Sequence, residues 1–306
     1  MKYLQLGCVS WVYRGAKPTP PFDESIKAVS QMGFKATSLW APQPKLLDEY
    51  YTNSTVKELR ELLESTGLKL VGFTSINSVL ISQDSEESKR AWEIYQKAVD
   101  VAKNLGTDII NILGHFPPIG LNMMDYTRLW TAPVFKAKMP ENPDFWKNVW
   151  ENYVSVIGRC VDYASKNGLR VTLEPHPFMI VSNMDAMLRL IDAVGSESLG
   201  LTFDTALSKS ADEISEMAIL KMGRRIFNVH VSDNLGNIAS PLHVTPGRGS
   251  IYWEGVLKTL KTVGYDGSLE FELTHMISDE ETFREENQRA IDYLRDAGKR
   301  AGIPIE

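Results

Sequence analysis

The chain has 306 residues, of which 43% are hydrophobic and 24% are charged, and its formal net charge at pH 7 is −6. This acidic balance argues against a nucleic-acid partner, because such surfaces normally carry a basic stripe. The N-terminus lacks the apolar core of a signal peptide, and no apolar run is long enough to cross a bilayer. We therefore expect a cytoplasmic protein without a membrane partner, in which Cys8 and Cys160 remain reduced thiols.

Short apolar strands alternate with longer amphipathic segments along the whole chain. The patterns predict strands at residues 3–9, 36–40, 69–76, 108–113, 169–174, 199–204, 227–232 and 268–273. They predict helices at residues 23–32, 54–65, 85–105, from about 142 onwards, and at 184–194, 214–222, 253–263 and 280–301. Ser54 is the expected N-cap of the second helix.

Eight strand and helix units in succession indicate an all-parallel sheet, whose natural closed form is a (β/α)8 TIM barrel. We accordingly predict an α/β protein with a single domain over residues 1–306. An open, doubly wound sheet is the alternative, but no Gly-x-Gly-x-x-Gly motif follows the first strand to support it.

The connection after the fourth strand, at about residues 115–143, is unusually long and is rich in proline, methionine and aromatic residues. Loops beyond about 15 residues are uncommon, and in a barrel this one leaves from the catalytic face. We interpret residues 116–143 as a lid or pocket wall that closes over the site. Its apolar side chains would face the substrate or a neighbouring subunit of a homo-oligomer; they are Met123, Met124, Trp130 and Phe135. An ordered surface excursion without ligand contact is the alternative.

The fifth to eighth predicted strands share one alternation of apolar and polar residues. Each places one candidate ligand on its polar face near its C-terminal end, and these residues are Glu174, Asp204, His230 and Glu272. On neighbouring parallel strands they would converge as three carboxylates and one imidazole. Such a set predicts one divalent metal ion, with Mn²⁺ favoured and Mg²⁺, Co²⁺ or Zn²⁺ as alternatives. Glu270 shares the inward parity of Glu272 one layer deeper, so it is the competing ligand from the eighth strand.

Other polar residues lie near the same strand ends and are candidates for substrate binding. His115 ends the fourth strand, His176 lies two residues beyond Glu174, and His243 precedes a Pro-Gly-Arg-Gly turn. Arg248, within that turn, offers forked donors to a carboxylate, phosphate or polyol. The alternatives are a surface-loop role for His176, a loop-holding role for His243 and a solvated side chain for Arg248.

Three further residues near the site have structural explanations. Asp233, three residues after His230, is interpreted as a group that orients the loop or supports a ligand. Trp11 and Trp40, near the ends of the first two strands, would form an apolar wall of the pocket or pack in the core.

At this point five segments resemble a known family in order and spacing. They are LEPHP at Glu174, FDTA at Asp204, NVHVSDN at His230, HVTPGRGSIYW at His243 and GYDGSLEFE ending at Glu272. Over nearly the whole chain they are similar to the sugar phosphate isomerase/epimerase superfamily, the xylose-isomerase-like TIM barrels. The resemblance implies that Glu174, Asp204, His230 and Glu272 bind one divalent metal. It also implies that the two glutamates are the catalytic acid and base, facing each other across the substrate.

The resemblance implies a metal-dependent isomerase or epimerase acting on a sugar, keto-sugar or polyol. A metal chelated by the carbonyl oxygen and a neighbouring hydroxyl would stabilise an enediolate after proton abstraction. Reprotonation gives epimerisation or isomerisation, whereas a leaving group on the β-carbon is eliminated. A lyase of the inosose or dehydroshikimate dehydratase type, or one that cleaves a C-glycoside, is therefore the alternative, and a non-catalytic sugar-binding barrel is a second one.

One position departs from the family pattern. Ketose 3-epimerases and endonuclease IV usually have a histidine three residues after the strand-six aspartate, where this chain has Leu207. A multinuclear zinc centre would lose a ligand there, and a ketose 3-epimerase would lose a substrate contact. The departure disfavours both of these functions.

Overall fold

The computed structural model describes residues 4–13, 20–121, 139–236 and 243–306. Its strands are β1 (Gln5–Cys8), β2 (Ala36–Ala41), β3 (Lys69–Ser75), β4 (Ile109–Leu113), β5 (Arg170–Glu174), β6 (Leu199–Asp204), β7 (Ile226–Val231) and β8 (Ser268–Phe271). All neighbouring strands are parallel, and β8 pairs with β1 to close the barrel. The predicted (β/α)8 TIM barrel is thereby confirmed.

Helices connect the strands on the outside of the barrel. They are α1 (Asp23–Gln31), α2 (Leu46–Glu49), α3 (Asn53–Thr66), α4 (Ser85–Leu105), α5 (Phe145–Lys166), α6 (Met184–Val194), α7 (Thr205–Ser210), α8 (Ser215–Met222), α9 (Trp253–Thr262) and α10 (Glu280–Ala301). Short 3-10 helices at Ser10–Val12 and Gly223–Arg225 complete the helical segments among the described residues. The short helices α2 and α7 were not predicted, because four to six residues carry too little periodicity to recognise.

Local capping explains where several helices begin and end. Asp84 accepts the N–H groups of Glu86 and Glu87 at the start of α4, and Gly106 ends that helix in the left-handed conformation. The prediction of Ser54 as an N-cap is wrong. Thr52 caps α3 instead, by accepting the N–H of Thr55 at 3.3 Å, because the helix begins one residue before Ser54.

A layer of polar side chains lies inside the barrel, two residues before the candidate ligands at the strand ends. Two residues before Glu174, Asp204, His230 and Glu272 stand Thr172, Thr202, Asn228 and Glu270. All four are buried, and the hydroxyl of Thr202 donates to that of Thr172 at 2.9 Å. The alternate side chains of these strands, such as Leu173 and Phe203, belong to the apolar core instead. The interior of the barrel directly beneath the candidate ligands is therefore polar rather than apolar.

Several predictions concern segments at the limits of the described residues. The predicted lid at 116–143 is described only at its two ends, and Met123, Met124, Trp130 and Phe135 lie outside the described residues. Cys8 and Cys160 are buried free thiols, as predicted. Across the described ranges, no helix is both long enough and apolar enough to span a membrane.

Candidate metal centre

The four candidate ligands meet at the C-terminal end of the barrel. They are Glu174, Asp204, His230 and Glu272, and each offers one ligand atom that lies within 4.8 Å of the ligand atoms of the other three. Glu174 and Asp204 end β5 and β6, and His230 is the penultimate residue of β7. Glu272 lies one residue beyond β8, which is shorter than predicted. These four residues are called the cluster below.

His230 is the centre of the cluster. Its Nδ1 lies 2.9 Å from Oε1 of Glu174 and 3.0 Å from Oε2 of Glu272. The imidazole is 2% exposed, so both contacts are shielded from water. The two glutamates thus approach one ring nitrogen from two different strands.

The two carboxylate oxygens of Asp204 have different surroundings. Oδ1 accepts the N–H of Leu207 at 2.7 Å and thereby caps the short helix α7. Oδ2 is buried and has no hydrogen-bond partner among the described residues; the nearest positive candidate, Nε2 of His243, is 3.8 Å away. A buried acceptor without a donor is costly, which makes this oxygen a natural ligand for a cation.

The protonation of the cluster reflects an excess of negative charge. Burial, together with the charges of Glu174 and Glu272, raises the pKa of Asp204 to about 8, although His230 acts in the opposite direction. Burial would also raise the pKa of Glu174, but attraction to His230 and hydrogen bonds from His176 and His230 hold it below its ordinary value. Burial opposes the imidazolium of His230, yet the two glutamates raise its pKa well above the ordinary range. Three carboxylates around one imidazole therefore favour an added positive charge.

The donor set fits a divalent cation. Oxygen and nitrogen ligands lie about 2.0–2.6 Å from such an ion, so atoms within 4.8 Å of one another can share it. The free Oδ2 of Asp204 supplies an acceptor that nothing else in the described structure uses. Oxygen-rich sets of this kind suit hard cations better than thiolate-preferring ones.

Glu270, the competing ligand, lies on the other side of His230. It is fully buried, and its Oε2 accepts Ser38 Oγ at 2.8 Å and Asn228 Nδ2 at 2.7 Å. Burial raises its pKa above the ordinary value, although His230, Asn228 and Ser38 act in the opposite direction. Glu270 does not belong to the cluster; Oε2 lies 3.9 Å from the Nε2 of His230.

Two tryptophans form a wall beside the cluster. Trp11 and Trp40 stack with ring centroids 5.0 Å apart, and the edge of Trp11 faces His230 at 5.9 Å. The Nε1–H of Trp11 donates to Oε1 of Glu272 at 3.0 Å. Trp11 therefore does more than pack, since it orients a carboxylate of the cluster.

A second group of side chains lies beside Asp204 on the loops after β7 and β8. The Nδ1 of His243 lies 3.0 Å from the hydroxyl of Thr274, and its backbone N–H donates to Nδ1 of His275 at 3.1 Å. Sequence reasoning missed Thr274 and His275. The available signal was weak: they lie two and three residues beyond Glu272, past the end of the strand pattern. Burial lowers the pKa of His275 to about 4, and His243 contributes to the lowering.

His176 also lies against the cluster. Its Nε2 is 3.6 Å from Oε2 of Glu174, on the side away from His230, and its side chain is 12% exposed. It therefore lies against a carboxylate of the cluster rather than on the open surface.

Asp233 holds the loop that carries His243, in agreement with its interpretation as a loop-orienting residue. Its Oδ2 accepts the N–H of Gly247 at 2.9 Å and the indole N–H of Trp253 at 3.0 Å. Its backbone also pairs with Val244 in an antiparallel bridge. These bonds anchor both ends of the turn and hold His243 at the rim of the cluster.

Arg248 and His115 are the two candidates that the structure does not bring to the cluster. Nη2 of Arg248 contacts Oε1 of Glu286 at 2.8 Å, and the arginine side chain is 43% exposed. His115 is buried, and its Nε2 lies 3.0 Å from the carbonyl oxygen of Asn77. Burial lowers the pKa of His115 to about 4, so the imidazole is neutral. It lines a cavity of about 240 Å³ at the ends of β3 and β4, on the other half of the barrel mouth.

Comparison with known proteins agrees with the barrel fold. The model of the xylose isomerase-like TIM barrel family matches residues 26–300. An inosose dehydratase of Clostridium botulinum (strain Alaska E43 / Type E3) is 23% identical over 266 residues, which cover 82% of this chain and 81% of that protein. A ketose 3-epimerase of Arthrobacter globiformis is 22% identical over 273 residues, covering 88% and 83%. The solved structure of the IOLI protein with a bound zinc atom has a TM-score of 0.72 at 16% identity, over 96% of this chain and 99% of that one.

Proposed function

Because the chain belongs to the xylose isomerase-like TIM barrel family, we propose that it is a divalent-metal-dependent isomerase or epimerase of a sugar, keto-sugar or polyol. The observation that carries this proposal is the pair of carboxylates, Glu174 and Glu272, held 2.9 and 3.0 Å from one imidazole nitrogen. The proposed ligands are these glutamates together with Asp204 and His230. The ketose 3-epimerase relative supports the reaction class.

The two glutamates would move the protons. A cation held by the cluster would act as a Lewis acid for the substrate carbonyl and as a template for its neighbouring hydroxyl. One glutamate removes the proton from the carbon beside that carbonyl, and the other, which comes from a different strand, returns a proton. The hydrogen bond from Trp11 favours the ionised form of Glu272, and His176 lies next to the oxygen of Glu174 that does not contact His230.

The position of proton return decides the product. Return to the opposite face of the same carbon gives an epimer, and return to the adjacent carbon gives an isomer. A substrate with a leaving group on the β-carbon would undergo elimination instead. The lyase is thus the second candidate: the inosose dehydratase relative supports it, and Leu207 stands where ketose 3-epimerases usually have a histidine.

We also propose the identity of the cation and the residues that contact the substrate. Mn²⁺ is proposed as the cation because the donor set is rich in oxygen, while the zinc in the IOLI protein supports a divalent ion in general. His176 and His243, both beside cluster carboxylates, are proposed to bind substrate hydroxyls. Substrate roles of His115 and Arg248 stay predictions, since their described contacts are with Asn77 and Glu286.

The decisive experiment is exchange of the substrate α-proton with solvent. The protein with Mg²⁺ would be incubated in heavy water with a panel of keto-sugars and inososes, and deuterium incorporation would be followed by NMR. We expect metal-dependent incorporation that is lost in Glu174→Gln and in Glu272→Gln. Turnover of a true substrate without solvent exchange, in single-turnover and equilibrium assays, would contradict the proposal and point to hydride transfer or hydrolysis.

The same samples separate the two candidate functions. An epimerase or isomerase gives a product that differs in mass from its substrate only by the incorporated deuterium, whereas a dehydratase gives a product that has also lost one water. Mass spectrometry of the substrates that exchange deuterium therefore decides between them.

A further inference from the structure

Glu270 is a buried carboxylate that the proposed proton transfers do not use. It is fully buried inside the barrel, where an ionisable group is costly to place. Ser38 and Asn228 both donate to Oε2, while Oε1 has no hydrogen-bond partner within the described ranges. The barrel also leaves room for this side chain, because a Cβ on Gly7 would lie only 3.0 Å from Cγ of Glu270.

The two ring nitrogens of His230 face different carboxylates. Nδ1 faces the cluster and lies within 3.0 Å of Glu174 and Glu272, whereas Nε2 lies 3.9 Å from Oε2 of Glu270. An imidazole that offers the lone pair of Nδ1 to a metal ion carries its proton on Nε2. That proton needs an acceptor, because the ring is 2% exposed and water cannot provide one freely.

We propose that Glu270 is the positioning residue of His230: its carboxylate accepts the Nε2–H, fixes the tautomer that offers Nδ1 to the cluster, and holds the plane of the ring. This inference rests on the proposed metal centre. A shift of about 1 Å brings the Nε2 to Oε2 distance into the normal hydrogen-bonding range. Carboxylates in this place beyond a metal-bound histidine raise metal affinity by about 10- to 100-fold.

The competing explanation is that Glu270 only ties β8 to β2 and β7 through Ser38 and Asn228. Under that explanation, a substitution would lower stability but would leave the tautomer of His230 and the metal affinity unchanged. The two explanations therefore differ in measurements that do not depend on enzymatic activity.

The test uses protein labelled with ¹⁵N in its 5 histidines, with Zn²⁺ as a diamagnetic probe. In the wild-type protein we expect Zn²⁺ to shift the Nδ1 resonance of His230 and Nε2 to be protonated; His230→Gln assigns the signal. In Glu270→Met, which keeps the volume but removes the acceptor, the Zn²⁺ Kd should rise 10- to 100-fold. The Nε2–H resonance should also lose its hydrogen-bonded shift. Glu270→Gln keeps an acceptor oxygen and should recover part of both effects.

Thr202→Val is the matched control. Thr202 stands two residues before Asp204, as Glu270 stands two residues before Glu272, and it is equally buried. Its hydroxyl contacts Thr172 rather than His230. We expect its Kd for Zn²⁺ and its histidine spectrum to match the wild-type protein.

The outcomes distinguish this inference from the proposed function. If the wild-type protein binds no Zn²⁺, the proposed metal centre fails first. If it binds Zn²⁺ but His230 coordinates through Nε2, the positioning role of Glu270 is wrong, and this measurement does not depend on the folding of Glu270→Met. An unchanged Kd and unchanged His230 resonances in Glu270→Met would also overturn it, whatever happens to the thermal stability of that variant.

Discussion

The two halves of the barrel mouth are built from different chemistry. The half formed by β5 to β8 carries the cluster, with its charges packed around His230. The half formed by β1 to β4 carries stacked tryptophans and a neutral, buried His115. We infer that the charged half would take part in the proposed reaction, whereas the half with the tryptophans and His115 would form the uncharged wall of the barrel mouth. Substitutions in the two halves should therefore differ in kind as well as in size.

The largest expected effect is on proton transfer in the charged half. Glu174→Gln or Glu272→Gln should lower the rate of α-proton exchange by about 10²- to 10⁴-fold, because each removes a positioned acid or base. The measurement is deuterium incorporation by NMR. Glu213→Gln is the control, since this partly buried carboxylate lies outside the cluster and accepts from Met184 and Ser208. Exchange at the wild-type rate in either cluster variant would be evidence against a catalytic role for that glutamate.

Metal retention should follow the same division. The double variant of Asp204→Ala and His230→Ala should lose most of its bound metal after desalting, because two of the four proposed ligands are gone. His115→Gln, in the neutral half, should retain metal at the wild-type ratio. Metal analysis of the purified proteins is the measurement, and stoichiometric metal in the double variant would refute the proposed ligand set.

His115, in the neutral half, should make the free energy of unfolding depend on pH. The pKa of His115 is lowered from 6.5 to about 4 by burial, so the unfolded chain binds the proton first as the pH falls. Stability from this group is complete above pH 6.5 and is lost progressively between pH 6.5 and 4. The loss amounts to about 3 kcal/mol. We expect His115→Gln to flatten this part of the curve, measured by urea unfolding at several pH values; an equally steep curve would show that His115 does not cause it.

Sequence patterns predicted the barrel and the convergence of Glu174, Asp204, His230 and Glu272, since period-two alternation fixes which side chains face inward. They could not show that Glu270 and Glu272 lie on opposite sides of His230, because both have the same parity. They also missed Thr274 and His275, which lie on a loop where no periodicity operates. Arg248 illustrates a different limit: a guanidinium near a site is visible in sequence, but its pairing with Glu286 depends on tertiary packing.

The smallest expected effect concerns the hydrogen bond between Trp11, in the neutral half, and Glu272, in the charged half. Trp11→Phe removes the 3.0 Å hydrogen bond to Glu272 but keeps an aromatic ring against Trp40. We expect the free energy of unfolding to fall by about 1.5 kcal/mol more than in Trp40→Phe, because hydrogen bonds to charged groups have this strength. Trp40 is a suitable control, since its Nε1 is buried without a hydrogen-bond partner in the part of the chain that the structure describes. Equal destabilisation of the two variants in urea would show that the bond to Glu272 contributes little.

The division of Asp204 into a capping oxygen and a free oxygen limits how this protein could change over evolutionary time. An asparagine would keep the cap on α7, but its amide nitrogen would replace the free carboxylate oxygen. A glutamate, which is one methylene longer, would move either the capping oxygen or the free oxygen out of place. Alanine would remove both the capping oxygen and the free oxygen, so this substitution would also destabilise the first turn of α7. Loss of the proposed metal ligand by substitution at this position would therefore also destabilise α7, unless the replacement is asparagine or another short capping residue.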